Sequence, residues 1–175
     1  MNTLSISLLA VLLLTLAGCG DEATGNKTEA IAPVITEKQL SAEASAKEKL
    51  AWWKQKAEEG DAKAQYFLGV MYALGDGVPK DAAKAVEWQQ KAAAQGNADA
   101  QYILGFMYAE GQGVPKDYVL AHMWANIAAS SATGSNKQKE FIKLHDSLAA
   151  NMTAQQLSEA QELARKCTAN KFKGC

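Results

Sequence analysis

Two stretches of this chain are copies of one another, Asp61 to Gly96 and Asn97 to Ala132. Superimposed, they agree at Ala62/Ala98, at Ala64-Gln65-Tyr66/Ala100-Gln101-Tyr102, at Leu68-Gly69/Leu104-Gly105 and at Met71-Tyr72-Ala73/Met107-Tyr108-Ala109. The loop GDGVPKD, Gly75 to Asp81, returns as GQGVPKD, Gly111 to Asp117, and is followed by Ala85/Ala121, Trp88/Trp124 and Ala92-Ala93/Ala128-Ala129. A fixed period of this size marks a repeat architecture, in which each unit is one supersecondary element that cannot bury its apolar face alone. The fold must therefore be a stack of such units.

Each unit reads as two helices. Asp61 and Asn97 follow a glycine and precede an Ala-rich segment, the place of an N-cap. Leu68, Gly69 and Tyr72 share one face, and Gly69, without a side chain, lets the second helix come close. Gly75 supplies a left-handed C-cap, Gly77 frees the turn, Val78 tucks under it, Pro79 stiffens it and Asp81 caps the second helix. That helix buries Ala85, Trp88 and Ala92. Leu104, Gly105, Tyr108, Gly111, Gly113, Asp117, Ala121, Trp124 and Ala128 take the same roles in the second copy.

The order Ala-Gln-Tyr-x-Leu-Gly-x-Met-Tyr, Gly-x-Gly-Val-Pro-x-Asp, Ala-x-x-Trp and Ala-Ala-x-x-Gly resembles the Sel-one-like repeat (SLR) family, the longer relative of the tetratricopeptide repeat. The resemblance covers roughly residues 50–132. It implies an all-α fold, a short right-handed α/α solenoid of antiparallel helix pairs closed by helical caps. It also implies a scaffold that binds other proteins rather than an enzyme.

Residues 36–60 read as an N-terminal helix and half repeat. Thr36 with Gln39 resembles a capping box, and Leu50 to Gly60 falls on Val86 to Gly96, with Trp52 over Trp88 and Trp53 covering the end of the stack. Residues 61–96 and 97–132 are the two repeats. Residues 133–175 read as a helical cap with a disulfide-closed tail. Ser130 to Ser135 is a loop, Asn136 to Ala150 a helix with Phe141, Leu144, His145 and Leu148 on one face, and Thr153 with Gln156 opens a last helix burying Leu157, Ala160 and Ala164. About seven helices in antiparallel pairs are expected.

Residues 1–18 have no charged side chain, and Leu4 to Leu16 is an apolar run of signal-peptide length. It ends in Leu16-Ala17-Gly18-Cys19, which resembles the bacterial lipobox. The resemblance implies cleavage before Cys19, a diacylglycerol on its thiol and a lipid anchor to the membrane, with acyl chains contributing about 0.8 kcal/mol per buried methylene. Gly20 beside it favours the periplasm and the inner leaflet of the outer membrane. Residues 19–35 read as a flexible tether of at most about 55 Å. The two remaining cysteines, Cys167 and Cys175, are an even pair in an oxidising compartment and are assigned to a disulfide; their spacing fits neither CxxC nor a zinc site.

Formal net charge is −1 with no basic stripe, which gives no electrostatic reason for nucleic acid. No H-E-x-x-H or G-x-S-x-G occurs, and GDGVPKD lacks the spacing of a phosphate loop or an EF-hand. His122, which falls on Val86, and His145 read as structural or surface histidines. No catalytic residue, metal or cofactor is assigned.

Positions alike in both copies are explained by folding, so specificity is assigned where the copies differ. Setting Leu68-Gly69 on the related Leu-Gly of tetratricopeptide repeats points Lys63, Val70 and Leu74 inward, then Asp99, Phe106 and Glu110. Phe106 is the first choice as an anchor; Tyr66 and Tyr102 rank lower. The function expected is a membrane-tethered periplasmic adaptor holding an envelope or secreted protein, with regulation of a sensor or immunity against a secreted toxin as narrower forms. A cell-wall (peptidoglycan) binding or hydrolysing protein is the alternative.

Overall fold

The computed structural model describes residues 46–132 and 134–175. The signal, lipidation and tether assignments, and the helix start at Thr36, lie outside the described residues. Among those residues seven helices and no strands occur: α1 Ala46–Glu58, α2 Ala62–Leu74, α3 Ala82–Ala93, α4 Ala98–Glu110, α5 Tyr118–Ser131, α6 Ser135–Ala149 and α7 Ala154–Ala169. The all-α helical-repeat solenoid expected from the period is what forms.

The repeated residues make repeated bonds. Asp61 and Asn97 accept from the amides of Ala64 and Ala100 at 2.7 and 2.9 Å, and Asp81 and Asp117 accept from Lys84 and Leu120 at 3.0 and 2.9 Å. Each such cap contributes about 1 kcal/mol. Gly75 and Gly111 end α2 and α4 at φ 80 and 70, left-handed values that a side chain disfavours. The loop then turns back on its own helix, the Asp81 and Asp117 amides donating to the Tyr72 and Tyr108 carbonyls, both at 2.9 Å.

Leu68 and Leu104 are completely buried, as are Ala85, Ala92, Ala121 and Ala128 on the opposing helices. Full burial of one leucine contributes roughly 1.5–3 kcal/mol. The two leucine–glycine pairs are nonetheless filled differently. A Cβ on Gly105 would stand 3.1 Å from the Ala121 carbonyl oxygen and 3.3 Å from the Ala125 amide, so α4 and α5 meet backbone to side-chain-free backbone. At Gly69 the same space holds the Gln89 side chain, whose Nε2 would lie 2.6 Å from such a Cβ. Gln89 takes the register of Ala125, is fully buried, and donates from Nε2 to the Tyr66 carbonyl at 3.2 Å. The close helix approach read at both glycines holds at Gly105; at Gly69 the glycine makes room for a glutamine.

Tertiary structure adds a bond that the motif did not announce. Gln65 donates from Nε2 to the Ala57 carbonyl at 3.1 Å, and Gln101 to the Ala93 carbonyl at 3.2 Å. Both reach one helix back, to the C-terminal turn of α1 or α3, and satisfy a carbonyl left over at a helix end. The Gln65 Oε1 accepts in turn from Gln95 at 2.7 Å. Ser131 stands at the matching place after Gln101, and the Gln101 Oε1 has no protein partner.

The C-terminal segment departs from the expectation of pairs. Ser130 and Ser131, read as loop, are the last residues of α5, and Ser135 already opens α6. Both α6 and α7 pack on α5, and they make little contact with each other. Phe141 and Leu148 of α6 and Ala160 of α7 are buried, and Ala164 and Cys167 of α7 pack with Trp124, Ile127 and Met123 of α5. The physical reason is that α5 is apolar nearly all round, with Ala121, His122, Met123, Trp124, Ala125, Ile127 and Ala128 all buried, so one partner helix cannot cover it. Thr153 and Gln156 form the capping box that starts α7.

Beyond α7 the tail folds back. Cys167 and Cys175 are joined in a disulfide with Cα atoms 5.6 Å apart. The Phe172 amide donates to the Cys167 carbonyl at 2.9 Å, and its ring edge lies over Gly96, at the junction of the two repeats, where a Cβ would meet it at 3.4 Å. At the other end Trp53 packs on the Phe67 ring at 4.5 Å between centroids and stands against Ala57, Ala64 and Leu68. Trp53 thus covers the first repeat's apolar side.

Candidate interaction surface

The first helices of the repeats, α2 and α4, bring the residues chosen for partner contact to the surface in unequal ways. Leu74, the last residue of α2, is 73% exposed, and Phe106, in mid α4, is 44% exposed. These are large apolar side chains in water, whereas Val70, one turn before Leu74 and at the register of Phe106, is half-buried. Lys63 is exposed at the start of α2 and sits 6.0 Å over the Phe67 ring. Glu110 is exposed at the end of α4.

Asp99 has a different use. It bonds Lys137 of α6 through both carboxylate oxygens, at 2.8 and 2.7 Å. Beside that ion pair the Tyr102 ring stacks on Phe141 of α6, with centroids 4.6 Å apart and planes at 19°. Tyr66, Asp99, Tyr102, Ile103, Lys137, Glu140 and Phe141 line one cleft of about 240 Å³. Phe106, Val70, Leu74, Lys63 and Glu110 lie outside it. The sequence comparison between repeats could not find Lys137 or Phe141, because α6 carries no repeat motif.

The electrostatics of the cleft follow from its packing. Burial, with the Asp99 carboxylate behind it, holds the Tyr66 phenol above its ordinary range, and burial followed by Glu140 does the same for Tyr102. The hydrogen bond that Lys137 donates to Asp99 raises the Lys137 ammonium above its ordinary range. Two neutral phenols, the Glu140 carboxylate and a second carboxylate already held by an ammonium make a site suited to stacking and hydrogen bonding. Among the described residues no group of three His, Cys, Asp or Glu side chains is placed to hold a metal ion.

A second cluster lies where α6 meets α5. His122 is completely buried and neither of its ring nitrogens has a hydrogen-bond partner in the protein. Its ring rests against His145 at 4.3 Å between centroids, and His145 Nδ1 donates to the Asp146 carboxylate at 2.9 Å. Burial, and then His145, push the His122 imidazolium down to a pKa of about 4 against a weaker opposing pull from Asp146. Of the two readings given for this histidine, structural and surface, the buried position selects the first.

Comparison with known proteins bears directly on these helices. The model of the Sel1 repeat matches residues 62–97 and again 98–132. This is a Sel1-like repeat protein. Its fold is similar to the crystal structure of c5321, a protective antigen present in uropathogenic Escherichia coli strains and displaying an SLR fold. The TM-score is 0.66 and the identity 30%, over 74% of this chain and 28% of that one. A Sel1 repeat protein from Oxalobacter formigenes is 38% identical over 47% of this chain and 63% of that one, with a TM-score of 0.47. The Sel1-like chain thus spans less than a third of the first structure and under two thirds of the second. No curated protein matches it. Sel1 repeats generally mediate protein–protein interaction, and Sel1-like repeat proteins are typically scaffolds without enzymatic activity.

Proposed function

We propose that this Sel1-like repeat protein is a membrane-tethered periplasmic adaptor that holds an envelope or secreted protein on the α2/α4 face. The observation that carries the reading is the pair of exposed apolar side chains, Leu74 and Phe106, on the first helices of the two repeats. Aromatic side chains that can be desolvated in a partner's pocket are where binding energy concentrates. The tether is the lipid on Cys19, supported by the apolar run ending in Leu16-Ala17-Gly18-Cys19, and the location is the inner leaflet of the outer membrane. Regulation of an envelope sensor, or immunity against a secreted toxin, are roles for such an adaptor.

Crosslinking and affinity recovery from the native envelope test it, beside Phe106→Glu and Cys19→Ala. Placing a carboxylate at the anchor costs a hot spot about 2 kcal/mol or more, at least a tenfold loss of affinity. A stoichiometric protein recovered with the original and lost with Phe106→Glu, at unchanged helix content, is the expected result. Recovery of the same partner with both refutes the assignment of the face. Cys19→Ala should leave the membrane fraction, and its persistence there refutes the tether.

A further inference from the structure

His122 stands at the register of Val86, which is also buried. Packing at this place is therefore satisfied by hydrocarbon, and the first repeat uses it. An imidazole in the second repeat brings two polar nitrogens into the same environment, both without a hydrogen-bond partner. What it adds over valine is a site for a proton, against the tilted ring of His145.

We propose that the His122–His145 contact is an acid-sensitive latch, which holds α6 on the second repeat and lets it go when His122 takes up a proton. An unpaired charge in a desolvated site destabilises whatever keeps it desolvated. The groups around it decide whether anything offsets that cost. From α6 come His145, which opposes the charge, and Asp146, which favours it but is bonded to His145. From α4, Gly105, Ala109 and the Tyr108 ring pack on Ala121 and Ala125, which flank His122 along α5, and the Tyr108 hydroxyl is engaged by Gln90 at 3.3 Å. On α5 itself, Tyr118 lies under Lys116. The α7 helix packs along another side of α5, where Arg165 lies beside Asn126 and Ser130, and Lys166 beside Leu120 and Met123. Desolvation outweighs the pull of Asp146.

The latch acts on the surface described above. The same α6 helix supplies Lys137 to Asp99 and Phe141 to Tyr102. Lifting it from α5 uncovers an aromatic ring and a carboxylate at the end of the repeat face.

The sign follows from linkage. The opened state titrates His122 at its ordinary value near 6.5 and the closed state near 4, so the opened state binds more protons in between. Closure is at full strength above pH 6.5, weakens as the pH falls to 4, and loses nothing further below that. The whole window corresponds to about a 300-fold change in the opening equilibrium.

Hydrogen exchange of the purified chain between pH 7 and pH 4, corrected for intrinsic rates, tests this beside His122→Val and His145→Gln. The expected result is that residues 135–149 lose protection over this window by up to about two orders of magnitude while residues 98–110 keep theirs. His122→Val should abolish the loss. His145→Gln, which removes the opposing charge and leaves His122 buried, should move the midpoint to higher pH. Equal loss in α4 and α6, or the same pH profile in His122→Val as in the original, would overturn the latch. Should the valine variant fail to fold, an unmoved midpoint in His145→Gln would do so.

Discussion

Gly69→Ala is the substitution that separates two ways of filling a helix pair. A Cβ at this place would stand 2.6 Å from Gln89 Nε2 and 2.9 Å from its Cδ, where about 3.5–4 Å is normal contact. Gln89 must move by about 1 Å, and its 3.2 Å bond to the Tyr66 carbonyl cannot survive that shift. Overpacking costs about 1–3 kcal/mol and the lost bond about 1 kcal/mol, against a gain of about 1 kcal/mol from replacing a mid-helix glycine. The net expected is a loss of about 2 kcal/mol. In a Gln89→Ala background, which gives the first repeat the Ala125 of the second, the obstacle is gone and the same change becomes neutral or slightly stabilising. The double-mutant cycle should return a coupling of about 2 kcal/mol. Urea unfolding of the four proteins at neutral pH reads this directly, with a shift in melting temperature of about 8 °C as a second measure. An equal loss from Gly69→Ala in both backgrounds would refute the reasoning, since it would mean that helix backbone and not Gln89 occupies the space.

Two further outcomes follow from the same contacts. Gly113→Ala should cost about 3 kcal/mol or more, because a Cβ there would overlap the Ala82 carbonyl of the preceding repeat in addition to the strain of φ 76; Gly111→Ala, whose Cβ would find only ordinary or slightly tight contacts, should cost about 1–2 kcal/mol, and equal melting temperatures for the two would contradict the inter-repeat contact. Cys175→Ser opens the loop to Cys167 and should lower stability by about 2–3 kcal/mol in the chain-entropy model, with loss of exchange protection around Phe172; an unchanged unfolding midpoint would show that the tail is held by its packing on Gly96 alone.

The amino-acid sequence by itself determined the repeat, its helices and their caps. These are local consequences of local residues: an Asp or Asn that must sit before a helix, a glycine that must follow one, a leucine every repeat that must be covered. Copying them at a fixed spacing specifies both units and the stacking between them. Tertiary structure decided what the repeated letters could not distinguish. Gly69 and Gly105 are the same letter, yet one faces a glutamine and the other a backbone, because Gln89 and Ala125 come from another helix. Asp99 was chosen for a partner by its difference from Lys63, and its oxygens are held by Lys137 from a helix outside the period. His122 differs from Val86 by one residue in an alignment, and only the arrival of His145 from α6 makes that difference a titratable contact in a dry site. Long-range neighbours carry no signature in a local pattern, which is why the scaffold was legible in the chain and the contacts that modulate its face were not.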